Sequence, residues 1–569
     1  MEDETIIETP QPEGEAQPTN KKGPMKILSK GKRWFFYLTG FFSGMSVMAL
    51  ELGAQRMLSP YFSSSQVIWT IVIAFIMIAM AIGNLIGGKL ADKYTSPTFL
   101  FILLFAAATW VLLIPLVGKA LIAAIALGFA AFVTEGYLIV TSIVCCVVIF
   151  IFPLLVLGMI TPTIVKNATR DLAESGKIVG RVEAFNTIGS IIGTVIPTFV
   201  TIPFIGTSAT FIVFASILYV IAVFYFVTHS ILKIKHVVIG VIALGVGISS
   251  TFIGTAFWNT NVLYEGESEY NYLRVEENSD EIILSTNVLF GVQSIKKKQK
   301  GLTGMYYDYA MAAPIMSGIN DKPLSMCVLG LGTGTFPSQC YDYFGDNVAK
   351  VDGVEIDSKI VDLSRKYFDL PKQIDVHVED GRAFLNVNST KYDVIMVDAY
   401  RDITIPYQMS SVEFFTLVKD HLNPGGSMVL NLNMFSTEKA SIGDYIASTV
   451  AHVFPQTYLA PLSDLDESGN VVSIGQNCEL YAMADANPLE MLEANIPNIE
   501  DYSLEMMMTR VADRMVKVED EGYLLTDDKS KIDLLGMDIM DQTIAEYLTY
   551  YRKRMEGMSL IEMIQFILG

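Results

Sequence analysis

Four short stretches in the second half of the chain set glycines and carboxylates where they can hold a nucleoside. Cys327-Val328-Leu329-Gly330-Leu331-Gly332-Thr333-Gly334 reads as a strand running into a glycine-rich turn. The missing side chains at Gly330, Gly332 and Gly334 let the backbone come close to a ligand. About twenty residues on, Val354-Glu355-Ile356-Asp357 ends the next strand and offers a carboxylate to two ribose hydroxyls. A third strand ends in Glu379-Asp380-Gly381, positioned to meet an adenine amino group. The fourth, Tyr392 to Val397, closes on Asp398, an acid over the reaction centre. A tight turn followed by helix-capping carboxylates would use the same residue types, but four successive strand ends favour nucleoside binding. No G-K-[ST] follows the glycines, which excludes a phosphate-cradling P-loop. A nicotinamide dinucleotide fits less well, because the third and fourth acids would have no task.

These residues need a scaffold that lines up strand ends. From Met326, β-branched runs at 326–331, 350–356, 374–378, 393–398 and 427–432 alternate with stretches long enough for a helix. That alternation predicts a parallel sheet covered by helices on both faces, with ligands at the C-terminal ends of its strands. Cys145, Cys146, Cys327, Cys340 and Cys478 show no C-x-x-C spacing, and the five histidines form no H-x-x-x-H pair. Neither disulfides nor a metal site is expected.

The first half of the chain is a different object. Before Trp258 it carries 16 Lys+Arg against 12 Asp+Glu; from there on the counts are 24 and 48. A spanning helix needs about 20 mostly apolar residues, and seven such stretches lie near 34–57, 67–88, 98–118, 136–160, 185–205, 209–228 and 237–257. The apolar run 121–133 is short and reads as a re-entrant or surface helix. Residues 1–33 are too polar to bury a core and are expected to be a disordered tail. Their basic end, beside the first span, predicts a cytoplasmic N-terminus. Lys89, Lys93, Lys166, Arg170, Lys177, Arg181, Lys233 and Lys235 would fall on that same side. An odd number of spans then sends the remainder of the chain across the membrane, so the charge pattern favours an extracytoplasmic soluble domain. The glycines 83, 87 and 88 and the Gly189-x-x-x-Gly193 pair read as sites of close helix packing. The expected architecture is an α-helical membrane bundle of about seven spans (34–257), a β-hairpin segment (258–325) and a Rossmann-like, S-adenosylmethionine-dependent methyltransferase-type domain (326–569).

Further stretches carry a resemblance. Glu269 to Val275 and Asn287 to Ser294, including Gln293, precede the nucleotide motif. Met305 to Pro314 follows, with Tyr306 and Asp308, and Leu525-Thr526-Asp527-Asp528 lies near the end. Together with the four strand ends, these resemble spermidine synthase, the aminopropyltransferase family. The union with apolar helices, Gly44 to Trp69 in particular, resembles the membrane-fused members of bacteria and archaea. The resemblance implies a membrane-anchored transferase that takes its group from decarboxylated S-adenosylmethionine and hands it to a polyamine-type amine. Gln293 and Tyr306 would hold the tail of the nucleoside, Glu355 its ribose, and Asp380 with Gly381 its adenine. Asp398, with Asp402, would position and deprotonate the attacking amine, and Asp308, Tyr400 and Arg401 would meet substrate. No metal is required, since the sulfonium supplies the leaving group.

Two departures keep alternatives open. The family usually has an acid where this chain has Thr333, and it usually places two aspartates three apart where this chain reads Asp398-Ala399-Tyr400-Arg401-Asp402. A methyltransferase using ordinary S-adenosylmethionine therefore stays open, as does a non-catalytic nucleoside- or polyamine-sensing domain on a transporter-like membrane unit. The negative soluble half would attract polycations and disfavours nucleic acid. The expected partners are a small amine or polyamine, a lipid bilayer and a second copy of the chain.

Overall fold

The computed structural model describes residues 30–555 except 63–64, 95, 134, 170–171, 289–291, 401–404, 436–438 and 463–475. Of the N-terminal tail, residues 1–29 lie outside the described residues. Among the described residues, five helices are long and apolar enough to cross a membrane: Lys30–Phe62, Gln66–Lys93, Thr98–Ala130, Tyr137–Ala168 and Glu174–Thr228. The last is broken by a π-helical turn at Pro197–Thr201 and by Gly206, whose φ of 81° and ψ of 167° suit glycine alone. It therefore divides into two helical arms. A shorter apolar helix, Ile234–Ser250, follows.

The third long helix changes character at a π-helical turn, Ile114–Gly118, which contains Pro115. Proline lacks the amide that would continue the α-helical ladder. Beyond it, both ends of Lys119–Ala130 meet the junction with the second half of the chain. Lys119 Nζ donates to the Ile253 carbonyl at 2.6 Å, and Arg552 Nε donates to that of Ala130 at 2.6 Å. This short segment runs along the junction.

Small residues bring the helices together. A Cβ on Gly189 would lie 1.9 Å from the Phe41 carbonyl oxygen, and one on Gly193 2.1 Å from that of Met45. Gly83 and Gly87 are pressed in the same way against Leu155 and Met159, while Gly88 faces open space.

The second half holds two sheets. Strands β1 (Val262–Glu267), β2 (Tyr272–Glu277), β3 (Glu281–Ser285) and β4 (Ser294–Lys297) form an antiparallel sheet in that order. The larger sheet contains β5 (Leu324–Leu329), β6 (Val348–Val354), β7 (Ile374–His377), β8 (Tyr392–Val397) and β9 (Leu422–Phe435). It also contains β10 (Gln456–Pro461), β11 (Gln476–Met483) and β12 (Val516–Lys517). Its spatial order is β12-β10-β11-β9-β8-β5-β6-β7. Met326 of β5 sits opposite Val351 of β6 on one side and Val394 of β8 on the other, both in parallel pairing. The chain thus runs outward from β5 to β7, then returns to β8 on the other side of β5. That reversal opens a crevice at the strand ends. Alternate residues supply the two faces: Cys327, Leu329 and Val397 pack into one core, Met326, Val328 and Met396 into the other.

The five strands expected from sequence correspond to β5 through β9. The antiparallel strands β10 and β11 were not anticipated. Their apolar runs are buried on both faces, and such runs cannot be told from buried helix by periodicity. The two halves of the chain meet through Val288 N, which donates to the Pro60 carbonyl at 2.8 Å, and Thr207 Oγ1, which donates to Glu267 Oε2 at 2.6 Å. Asp541 accepts from Gly136 N at 2.6 Å.

Candidate active site

The glycine turn after β5 is bent as its sequence requires. Gly330, Gly332 and Gly334 have φ of 87°, 55° and 82°. At Gly330 the close approach is also steric: a Cβ would stand 2.4 Å from the Asp398 carbonyl oxygen and 2.7 Å from Ala399 Cα. Gly330 N and Leu331 N both donate to the Val354 carbonyl at 2.9 Å, which pins the turn to the end of β6. Gly334 leads into the helix Thr335–Phe344. Thr333 N donates to Ser294 Oγ at 3.2 Å, while its hydroxyl is buried with no partner among the described residues.

Glu355 stands at the end of β6. One carboxylate oxygen accepts from Gly332 N at 2.9 Å and the other from Asp357 N at 3.0 Å. Burial pushes this carboxyl up to about 7, against the pull of those amide donors. Asp357 turns the other way, accepting from Ser268 Oγ at 2.5 Å and capping the helix Ser358–Tyr367 through Lys359 N at 3.0 Å. At the end of β7, Asp380 caps the helix Gly381–Val387 by accepting from Ala383 N at 2.9 Å.

Asp398 follows β8 and is 8% exposed. Tyr306 Oη donates to its Oδ2 at 2.7 Å, and Asn431 Nδ2 donates to its Oδ1 at 2.9 Å. Burial pushes this carboxyl also up to about 7, and the two donors pull it back. The result is a carboxylate held in one orientation and poised to exchange a proton near neutral pH.

A cavity of about 590 Å³ gathers these groups, a volume that suits a small-molecule ligand. Gly330, Gly332, Glu355, Asp380, Gly381 and Asp398 line it. Gln293 and Tyr400 join them, Tyr400 with its hydroxyl donating to the Asn431 carbonyl. Tyr306, Thr333 and Gly334 are not on its lining. Asp308 is placed elsewhere, contrary to the expectation that it meets substrate. It is fully buried and accepts from Thr303 N and Oγ1, both at 2.8 Å, from Gly304 N at 2.7 Å and from Gln339 Nε2 at 2.8 Å. With so many donors on it, Asp308 holds the loop before its helix. Arg401 and Asp402 lie outside the described residues.

Other residues of the site were not anticipated. Tyr307, and not its neighbour Tyr306, faces the cavity, with its hydroxyl donating to the Gln293 carbonyl at 3.0 Å. Asn431, which orients Asp398, lies within β9, a strand that the sequence does reveal; a polar residue inside its apolar run was the available signal. Glu479 is fully buried on β11, directly opposite Asn431, and neither carboxylate oxygen has a partner among the described residues. Burial, with Asp398 nearby, holds its carboxyl far above the ordinary range. A lone acid in the apolar run Cys478 to Met483 was the available signal. The far wall comes from the apolar helices: Leu52, Gln55 and Ser59 of the first, Gln66 and Trp69 of the second, and Thr198. The lining residues include six carboxylates, Glu269, Glu355, Glu379, Asp380, Asp398 and Asp533. Arg56, the cation among the described lining residues, donates to the carbonyls of Ser268 and Glu269.

A parallel sheet that reverses at β5, extended by antiparallel strands and bearing glycines and acids at successive strand ends, is the Rossmann-like fold of the methyltransferase type. Comparison with known proteins is more specific. Residues 328–465 match the spermine/spermidine synthase domain family. A protein of Bifidobacterium longum named "Probable polyamine aminopropyl transferase" is 46% identical over 337 residues, covering 58% of this chain and 74% of that one. The polyamine aminopropyltransferase of Vibrio vulnificus is 27% identical over 289 residues, 48% of this chain and 92% of that one. Among solved structures, spermidine synthase from Thermotoga maritima aligns with 18% identity and a TM-score of 0.35, covering 44% of this chain and 84% of that one. The chain belongs to the polyamine aminopropyltransferase family, the spermidine-synthase-like transferases, and is an enzyme of that class.

Proposed function

We propose that the chain transfers an aminopropyl group from decarboxylated S-adenosylmethionine to a polyamine-type amine, with Asp398 as the base. The observation that carries this is the environment of Asp398. A protonated alkylamine is no nucleophile, so the reaction needs a carboxylate that can bind the ammonium and take its proton. Asp398 lines the cavity, is fixed by Tyr306 and Asn431, and has its carboxyl raised to about 7. In the transfer, the amine nitrogen bonds to the donor carbon next to sulfur. The carbon–sulfur bond breaks, its electron pair stays on sulfur to leave a neutral thioether, and the proton from nitrogen goes to Asp398. On the donor side, Glu355 would take the ribose hydroxyls and Asp380 with Gly381 the adenine, while Gln293 holds the tail. Tyr400 borders the acceptor and Asp402 assists Asp398, while Arg401, a departure from the family's pattern, adds a positive charge beside the acceptor. Among the described lining residues, six carboxylates stand against the engaged cation Arg56, which favours a cationic acceptor.

Thr333 favours a second reading. With a neutral hydroxyl where the family usually has an acid, the loop lacks the charge that would hold the donor's primary ammonium. Ordinary S-adenosylmethionine as a methyl donor then competes. The product separates the two: methylthioadenosine identifies aminopropyl transfer, S-adenosylhomocysteine methyl transfer.

We further propose that residues 34–257 form a membrane unit that crosses seven times. The break at Gly206 supports counting Glu174–Thr228 as two passes, and Ile234–Ser250 is taken as another. The soluble segments 258–325 and 326–569 then lie across the bilayer from the N-terminus, on the face away from the basic loops. Reporter fusions after Trp258 test this; a cytoplasmic signal would overturn it.

A further inference from the structure

The donor half of the cavity is accounted for by strand ends, but one wall is built from residues that no strand end supplies. Leu52, Gln55 and Ser59 are spaced three and seven apart, which puts them on one face near the end of the helix Lys30–Phe62. Gln66 and Trp69 share a face at the start of the helix Gln66–Lys93. All five line the same cavity as Asp398. This wall is tied to the soluble half by Arg56, which donates to the carbonyls of Ser268 and Glu269, and by Val288 N, which donates to the Pro60 carbonyl at 2.8 Å.

The chemistry of the wall is polar. The Gln55 and Gln66 amides have no hydrogen-bond partner among the described residues, and the Thr198 hydroxyl, which donates to the Thr194 carbonyl at 2.8 Å, keeps its oxygen as an acceptor. An acyl chain would leave those amides unsatisfied at a cost, whereas an aliphatic chain carrying amino groups would satisfy them. The indole of Trp69, 43% exposed, offers a π-face to a cation. Glu269 and Asp533 add negative charge to the same cavity.

We infer that the ends of the first two apolar helices form the distal part of the acceptor subsite, where Gln55, Gln66 and Trp69 bind the portion of a linear polyamine remote from its attacking nitrogen. This rests on the aminopropyl-transfer reading and deepens it: the membrane helices set the length of amine that is accepted. A triamine, whose far ammonium reaches the wall, is the preferred class of acceptor over a short diamine.

The test uses the full-length protein in detergent, with the donor held at saturation and 1,4-diaminobutane and a linear triamine as acceptors. Trp69→Ala should raise KM for the triamine by roughly tenfold and change that for the diamine little. Gln55→Leu and Gln66→Leu, which keep size and helix, should do the same to a smaller degree. Donor affinity, measured by calorimetry on each variant, should match the parent and shows that the variants are folded. If the parent is active and all three variants keep its triamine-to-diamine KM ratio, the inference is overturned while the transferase reading stands. If the parent makes no methylthioadenosine from any amine, that reading fails and this inference falls with it.

Discussion

The two sides of the cavity are built on opposite plans. The donor side uses the ends of consecutive parallel strands, so Gly330, Glu355, Asp380 and Asp398 are placed by one sheet; backbone amides orient Glu355 and Asp380, and the side chains of Tyr306 and Asn431 orient Asp398. The opposite side is assembled from helix ends far apart in the chain, at Gln55, Gln66 and Thr198, joined to the turn between β1 and β2 by Arg56. One side is fixed by local sequence and sheet geometry, the other by tertiary docking alone. Substitutions on the donor side should therefore weaken nucleoside binding, and those on the acceptor side should change which amine is preferred.

The largest expected effect lies where the two sides meet. Asp398→Asn keeps the shape of the side chain and its place between Tyr306 and Asn431 but cannot take a proton. Turnover should fall by about 10²- to 10⁴-fold with donor affinity nearly unchanged, as read by rate and calorimetry. Unchanged turnover would remove Asp398 as the base. In the parent, the rate should rise with pH and level off above about 7, because Asp398 must be ionised to act. Stability should move the other way. Asp398 and Glu355 have folded values of about 7, against about 4 when unfolded. Between those pH values these two groups bind more protons in the folded chain than in the unfolded one, so their contribution to stability is full below about 4 and is lost as pH rises through about 7. Asp398→Asn should make that decline shallower in a pH series of thermal melts.

That contrast also explains what the sequence could disclose. The strands β5 to β9 and the acids at their ends were legible because glycine turns, β-branched runs and capping carboxylates are local signals. The acceptor wall was not, since a glutamine near the end of an apolar helix looks alike whether it faces lipid, a neighbour or a cavity. Asp308 misled for a related reason: an acid next to tyrosines in a family-like stretch can serve a ligand or, as here, collect backbone amides of its own loop. Hydropathy marked the apolar stretches, while the helices extend beyond most of them, as in Lys30–Phe62 and Glu174–Thr228; the way Lys119–Ala130 runs along the junction depends on Ile253 and Arg552, more than a hundred residues away.

On the donor side, Gly330→Ala should come next in size. The new Cβ meets backbone atoms of Asp398 and Ala399, which cannot rotate away, and φ of 87° is unfavourable for alanine. A loss of about 1–3 kcal/mol in stability is expected, with donor binding abolished or weakened beyond tenfold. A variant with normal donor affinity would show that the turn after β5 has room to spare. Glu355→Gln is milder. The amide keeps one acceptor oxygen but puts an NH₂ group against either Gly332 N or Asp357 N, so one bond to the loop is replaced by repulsion. Loss of one charge-assisted bond of about 1.5–3 kcal/mol corresponds to roughly 10- to 100-fold weaker donor binding.

The smallest effect is the most discriminating, because it separates the orientation of Asp398 from its acidity. Tyr306→Phe removes one hydroxyl from a ring that packs 4.0 Å, centre to centre, from Tyr307, so the packing should survive. The lost hydrogen bond is one of the two that favour the ionised form of Asp398. Without it the carboxyl titrates at higher pH, and the acid limb of the rate profile should shift upward while the plateau rate changes only a few-fold. A plateau lowered as severely as in Asp398→Asn, with no movement of the limb, would instead make Tyr306 an anchor for the position of the carboxylate. The tyrosine that bonds Asp398 would then belong to the rigid donor-side plan. A shifted limb with an intact plateau places it with Asn431 as a group that sets when Asp398 can accept the proton.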